Sequence, residues 1–167
     1  MEFKLITDYD EAKFIFTQGY LTDDRNSYNH SIDQFEKGMK QWLGFFVLYD
    51  CNDPVLFTAI REFGKYARIF DRYMVFPEYR GRGLGDNEWN QYIINPLLDH
   101  VGDHIPFFSI ERVNRRGSID KATKSINKVL PKSKQFHVLD GMHETVPNSR
   151  QHISIQKPHT TINLLGI

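Results

Sequence analysis

One stretch limits what this chain can fold into more than any other: Val75-Phe76-Pro77-Glu78-Tyr79-Arg80-Gly81-Arg82-Gly83-Leu84-Gly85. A β-prone apolar run, Ala67 to Val75, leads into it, and Asp86 to Ile94 leaves it with apolar residues at helical spacing. The order is strand, glycine-rich turn, helix. Glycines reach positive φ and carry no side chain, so several backbone N–H groups can converge on one anion. The free N–H groups and dipole of a following helix favour a phosphate there, and Arg80 and Arg82 add positive potential. A dinucleotide-binding turn would need Gly-x-Gly-x-x-Gly, whereas the spacing here is Gly81-x-Gly83-x-Gly85. The Gly-Lys-Ser/Thr of a nucleoside triphosphate loop is absent as well.

At 167 residues the chain reads as one domain over 1–157 with a tail over 158–167. A formal net charge of +0 provides no global field toward nucleic acid or an acidic membrane. The single cysteine, Cys51, excludes an internal disulfide framework and fits a reducing compartment. No apolar run approaches the ~18 residues that span a bilayer, and no signal-peptide core follows Met1. The expectation is a cytoplasmic protein with no membrane partner.

Along the chain, Glu2 to Thr7 alternates as a strand, and Asp8 or Asp10 caps a helix through Phe16. Residues 19–30 read as a loop, and a second helix from Ser31 places Ile32, Phe35 and Met39 on one face. Leu43–Tyr49, Val55–Phe63 and the strand ending at Val75 form an antiparallel meander. The helix after the glycines meets Pro96, where a kink or break is expected, with Leu97 and Leu98 in a second segment. A strand over Ile105–Glu111, a basic helix over Asn114–Val129, and a closing hairpin of Gln135–Leu139 and Gln151–Gln156 around Asp140-Gly141 complete the reading.

The glycine stretch resembles the acyl-CoA-binding signature of the GNAT acetyltransferase superfamily, Val-x-Pro-x-x-Arg-Gly-x-Gly-x-Gly/Ala, at every fixed position. The element order βαα-βββ-α-β-α-ββ agrees with that family over nearly the whole chain. The resemblance implies an α+β fold, a mixed and mostly antiparallel sheet splayed between its fourth and fifth strands. It also implies acetyl-CoA as cofactor and direct transfer of an acetyl group to a primary amine through a tetrahedral intermediate. Arg80, Gly81, Arg82, Gly83, Leu84 and Gly85 would hold the diphosphate, with Met74, Val75 and Asn114 as further cofactor contacts. The N–H of Val75 is the implied oxyanion donor.

Acyl transfer also needs a base for the ammonium and a proton for the thiolate. Side chains alternate along a strand, so Asp71, Tyr73 and Val75 share one face unless a bulge intervenes. Asp71 is the matching base candidate and Glu111 the second; pairing of Asp71 with Arg68 or Arg72, or of Glu111 with Arg112, is the competing reading. The helix after Asn114 lacks the tyrosine the family often uses as acid, leaving a water oriented by Ser125, solvent itself, or Tyr73. His100 and His104 stand four apart without a His-Glu-x-x-His pattern, so no metal is expected.

Arg112, Arg115, Arg116, Lys121, Lys124, Lys128, Lys132 and Lys134 are opposed within 112–134 by Asp120 alone. This reads as a solvated helix face that also meets CoA phosphates, or as a nucleic-acid surface. Two rival functions follow from the same scaffold: DNA base modification of the kind phage Mom-type proteins perform, and a non-catalytic CoA-binding or structural module. An exposed closing hairpin often mediates dimers in the family, so the resemblance also implies a homodimer as a partner state.

Overall fold

The computed structural model describes residues 1–22, 32–80, 88–110, 116–146 and 149–156. In chain order these form β1 (Glu2–Leu5), α1 (Tyr9–Thr22), α2 (Ile32–Gln41), β2 (Trp42–Asp50), β3 (Asp53–Phe63), β4 (Tyr66–Val75), α3 (Asn90–Val101), β5 (Ile105–Ile110), α4 (Arg116–Asn127), β6 (Phe136–Val138), β7 (His143–Val146) and β8 (Ser149–Gln156). The class is α+β. The sheet runs β1-β2-β3-β4-β5-β8-β6, with β7 also paired to β8. Neighbours pair antiparallel except β4 and β5, which are parallel.

Alternation along β2 assigns the two faces of the sheet. Phe45 meets Phe16 of α1 and Phe35 of α2, while the next residue, Phe46, meets the His100 ring of α3 edge-on at 5.2 Å. So α1 and α2 cover one face, and α3 and α4 the other. On the first face Phe16, Phe35, Phe45 and Phe57 form an aromatic cluster, each at most 2% exposed. On the second face, the hydroxyls of Thr123 of α4 and Ser154 of β8 share a hydrogen bond at 2.8 Å. The Asn127 side chain bonds both the N–H and the carbonyl of Phe136, tying α4 to β6.

Several sequence expectations need correction. The loop expected from Gly19 starts later, because α1 continues to Thr22; residues 23–31 lie outside the described residues. Gly19 sits in the helix because a Cβ there would come within 2.5 Å of the Phe57 ring and 2.6 Å of the Met74 sulfur. A close helix–sheet approach, not a turn, requires that glycine. Likewise α3 runs unbroken through Pro96, so Leu97 and Leu98 do not start a second segment. Pro96 lies on the exposed side, while Ile93, Ile94, Leu97 and Val101 are buried. Burying four such side chains, at about 1.5–3 kcal/mol each, outweighs the roughly 3 kcal/mol an interior proline costs.

The closing hairpin is also more divided than expected. After the Asp140-Gly141 bend the chain forms an additional strand, β7. β6 pairs with Ser154–Gln156 of β8 and β7 with Ser149–Gln151, so they follow one another along β8. Among the described residues no helix is long and apolar enough to cross a membrane.

Candidate active site

The sheet loses its continuity between β4 and β5. Their parallel pairing covers Tyr66, Ala67 and Arg68 against Ile105, Pro106 and Phe107, and ends there. Beyond Arg68, β4 continues to Val75 with its other edge held by β3. The edge facing β5 is thereby left open, as the expected splay requires.

The end of β4 fixes which backbone groups face this gap. The Phe76 N–H donates to the Val55 carbonyl of β3 at 2.9 Å. Successive residues of a strand point their polar groups to opposite edges, so the N–H and C=O of Val75 face the gap. The Val75 carbonyl there accepts from Arg80 Nε at 2.8 Å. Met74, expected beside Val75 as a cofactor contact, does not reach the gap. Its backbone faces Phe57 and its side chain is fully buried beneath α1. Through its bond to the Val75 carbonyl, Arg80 reaches back to the strand end.

A short 3-10 turn, Pro77–Tyr79, follows. Its Tyr79 ring meets Trp89, just ahead of α3, at 6.4 Å, so the residues on both sides of the glycine turn are tied together. Gly81, Arg82, Gly83, Leu84 and Gly85 lie outside the described residues, as do Glu111 and Asn114.

Two bulges alter the expected face of Asp71. Phe57 pairs with Met74, Ala59 with Asp71, and Arg61 with Arg68, so β4 carries one additional residue at each step. Phe70 and Arg72 take left-handed φ values of 61° and 54° to accommodate them. A non-glycine residue in that region costs about 1–3 kcal/mol, and such positions cluster at functional sites. The bulges put Arg68, Asp71 and Met74 on the α1/α2 face, although three residues separate each from the next. Tyr73 does not join them. Its half-buried ring meets Phe70 at 5.4 Å, and Phe70 meets Phe108 of β5. The expectation that Asp71, Tyr73 and Val75 share a face is therefore overturned.

Asp71 is 7% exposed and doubly engaged. Trp42 donates its indole N–H to Oδ2 at 2.8 Å, and Arg68 Nη1 lies 3.6 Å from Oδ1. The sequence reading named Arg68 as a competing partner but missed Trp42, which stands 29 positions away in the chain. Ser125 is 8% exposed on α4, across the sheet from Asp71. The structure thus brings Val75 and Arg80 together at the gap, and Asp71, Trp42 and Arg68 on one face. It does not bring Ser125 to Asp71. His100 bonds the Leu43 carbonyl at 2.8 Å and His104 lies 3.3 Å from Glu62, so the two rings serve different partners.

A parallel pair that separates after three residues, with an inward N–H at the end of the fourth strand, can be compared with solved structures. A protein of the GNAT acetyltransferase family from Bacteroides thetaiotaomicron superposes with a TM-score of 0.61 at 10% identity, covering 96% of this chain and 89% of its own. The chain has the GNAT fold. The ribosomal-protein-S18-alanine N-acetyltransferase of Escherichia coli matches with a TM-score of 0.57 at 14% identity, over 92% of this chain and 90% of its own. A chimera built on the spermidine N-acetyltransferase of Vibrio cholerae gives 0.56 at 14% identity, over 93% of this chain and 95% of its own. No sequence-family model matches the chain, and no curated protein matches it. The GNAT fold is therefore legible through shape and through the Val75–Gly85 signature. Identities this low carry the fold and leave the chemistry to the residues.

Proposed function

We propose that this protein is an acetyl-CoA-dependent N-acetyltransferase that moves an acetyl group directly onto a primary amine. The observation that carries the reading is the Val75 N–H, turned into the β4/β5 gap immediately ahead of the complete Val-x-Pro-x-x-Arg-Gly-x-Gly-x-Gly signature. The spermidine and ribosomal-protein enzymes of like fold act on amines, which supports an amine acceptor here.

The open edge of β4 fits an extended, amide-bearing arm, because its unpaired groups can bond one as a further strand. When bound, acetyl-CoA would supply an acyl thioester to the amine. Gly81 to Gly85 with Arg82 would hold its diphosphate, and Asn114 would add a contact. Val75 would donate its N–H to the oxygen on which negative charge develops, a type of contact typically worth about 3–4 kcal/mol. Arg80, bonded to the Val75 carbonyl, holds that strand end in place. Asp71 is the preferred base: Trp42 and Arg68 fix its orientation, and a carboxylate has about four lone-pair sites, so acceptor capacity remains. Glu111 is the second choice for the base. Tyr73, on the other face, or solvent would return the proton to the thiolate.

A specific observation also supports a binding module without turnover. Asp71 is engaged by Trp42 and Arg68, and Ser125 is buried on the opposite side of the sheet. Release of free CoA in the presence of polyamines, amino acids and peptides separates the two readings. The enzyme reading expects turnover with at least one amine, lost in Gly83→Glu, which sets a carboxylate where the diphosphate belongs. Micromolar acetyl-CoA binding without any turnover would select the module.

A further inference from the structure

We infer that the outward face of α4, with the turn that follows it, docks the phosphate backbone of a duplex nucleic acid. Lys121, Lys124 and Lys128 recur at intervals of three and four, which places them in one stripe. Lys121 and Lys124 of α4 and Lys128, in the turn that closes it, are exposed, while Ile119, Thr123 and Ile126 of the helix are buried. At about 1.5 Å per residue the stripe runs roughly 10 Å along the helix. Lys132 and Lys134, exposed on the 3-10 turn Lys132–Lys134, extend it.

Three features select the partner. First, the charge is segregated. The whole chain is formally neutral, yet 112–134 holds Asp120 as its one acidic residue against eight cations, so the rest of the chain is net acidic. Second, the described ion pairs occupy other places: Glu2–Lys4, Lys13–Glu36, Arg68–Asp71 and Glu62–His104. Lys124, Lys128, Lys132 and Lys134 take part in none of them. Third, no large apolar or aromatic side chain is exposed on α4; among the described residues, those that are exposed are Met1 and residues of β1, α1, α2 and α3. Single-stranded nucleic acid is gripped by aromatic side chains that stack on its bases. A lysine row without aromatics instead meets phosphates, which a duplex presents in regular succession whatever its sequence.

The test is fluorescence anisotropy with the full chain and a mixed-sequence DNA duplex, run beside the RNA duplex and the single strand. Each phosphate contact contributes about −0.9 to the slope of log K against log salt on B-DNA, so five lysines imply roughly −4.5, or an approximately 500-fold weakening between about 50 and 200 mM salt. The double variant Lys124→Ala/Lys128→Ala should reduce that loss to about 40-fold, and both positions are exposed, so the fold is kept. Binding of either duplex with that slope, unaffected by saturating CoA, supports the inference, and the DNA and RNA arms identify the duplex. An unchanged slope in the double variant, tighter binding of the single strand, preference for an acidic peptide, or absence of salt-dependent binding overturns it. Because CoA binding is measured separately, loss of this surface and failure of the acetyltransferase reading are distinguishable.

Discussion

The two halves of the sheet are built by different means. From β1 to β4 consecutive strands pair antiparallel, and β2 registers with β3 over nearly its full length. Apolar residues on both faces of that half belong to one large core that includes Phe16, Phe35, Phe45 and Phe57. The second half adds a small separate cluster, in which Phe107 of β5 and Ile153 and Ile155 of β8 meet Tyr66 of β4, while Phe108 of β5, Phe136 of β6 and Ile119 and Ile126 of α4 join the large core. Within the sheet, three residue pairs join the halves. The comparison shows where a ligand can be admitted without breaking the strand ladder: at the seam, where pairing stops although both strands continue. The first half supplies stability and the seam supplies the open backbone.

One substitution in the core of the first half and one at the seam test this division most strongly. Phe16→Ala should cost about 3–5 kcal/mol, read as a lowered denaturation midpoint, with CoA affinity unchanged at temperatures where the protein stays folded. Phe107 is equally buried but sits at the seam, its ring meeting Phe63 and Tyr66. Phe107→Ala should weaken CoA binding as well as stability. Equal effects of the two on binding would break the comparison.

Next in size is Asp71→Asn. The change loosens the Trp42 and Arg68 contacts, at a cost of about 1–3 kcal/mol for partners left poorly satisfied. If Asp71 is the base, turnover should fall by much more than this stability loss explains, with CoA affinity retained. A variant that is destabilised yet fully active would assign Asp71 to structure and leave Glu111 as the base.

A smaller effect of opposite sign is expected at Pro96. Pro96→Ala restores an N–H inside α3 at an exposed position and should stabilise by about 1–2 kcal/mol, once the greater freedom of the unfolded chain is deducted. Thermal unfolding reads this directly, and an unchanged or lower midpoint contradicts it.

The smallest is an alkaline effect confined to the first half. Desolvation, then the nearby Glu11 charge and the hydrogen bond to that carboxylate, push the Tyr49 hydroxyl up to about 12. The neutral phenol is favoured in the folded state, so its contribution is complete below the ordinary value near 10 and is lost as pH rises toward 12. Tyr49→Phe should therefore flatten the decline in stability between those two values, measured by denaturant unfolding at stepped pH.

The halves also differ in how far the sequence discloses them. Alternation and turn residues locate β1 to β4 within a few residues, because each is a local signal. The two bulges of β4 leave no such mark. Phe70 and Arg72 are not residues that advertise positive φ, and their conformation follows from the register with β3. For that reason the face of Asp71 could not be read from spacing. Gly19 misleads for the opposite reason, since its small size serves contact with Phe57 and Met74 across the core. In the second half β7 has four residues, too few for a periodic signal. At the site, the signature and Val75 were legible as a local motif. Trp42, which orients Asp71, becomes visible only when distant parts of the chain meet.

The most direct test of the account is a crystal of the protein soaked with coenzyme A. The account predicts the pantetheine arm between β4 and β5, with the Val75 N–H turned toward the thiol end and the diphosphate against Gly81 to Gly85. Coenzyme A bound elsewhere, or a seam closed by continued pairing of β4 with β5 beyond Arg68, would contradict it.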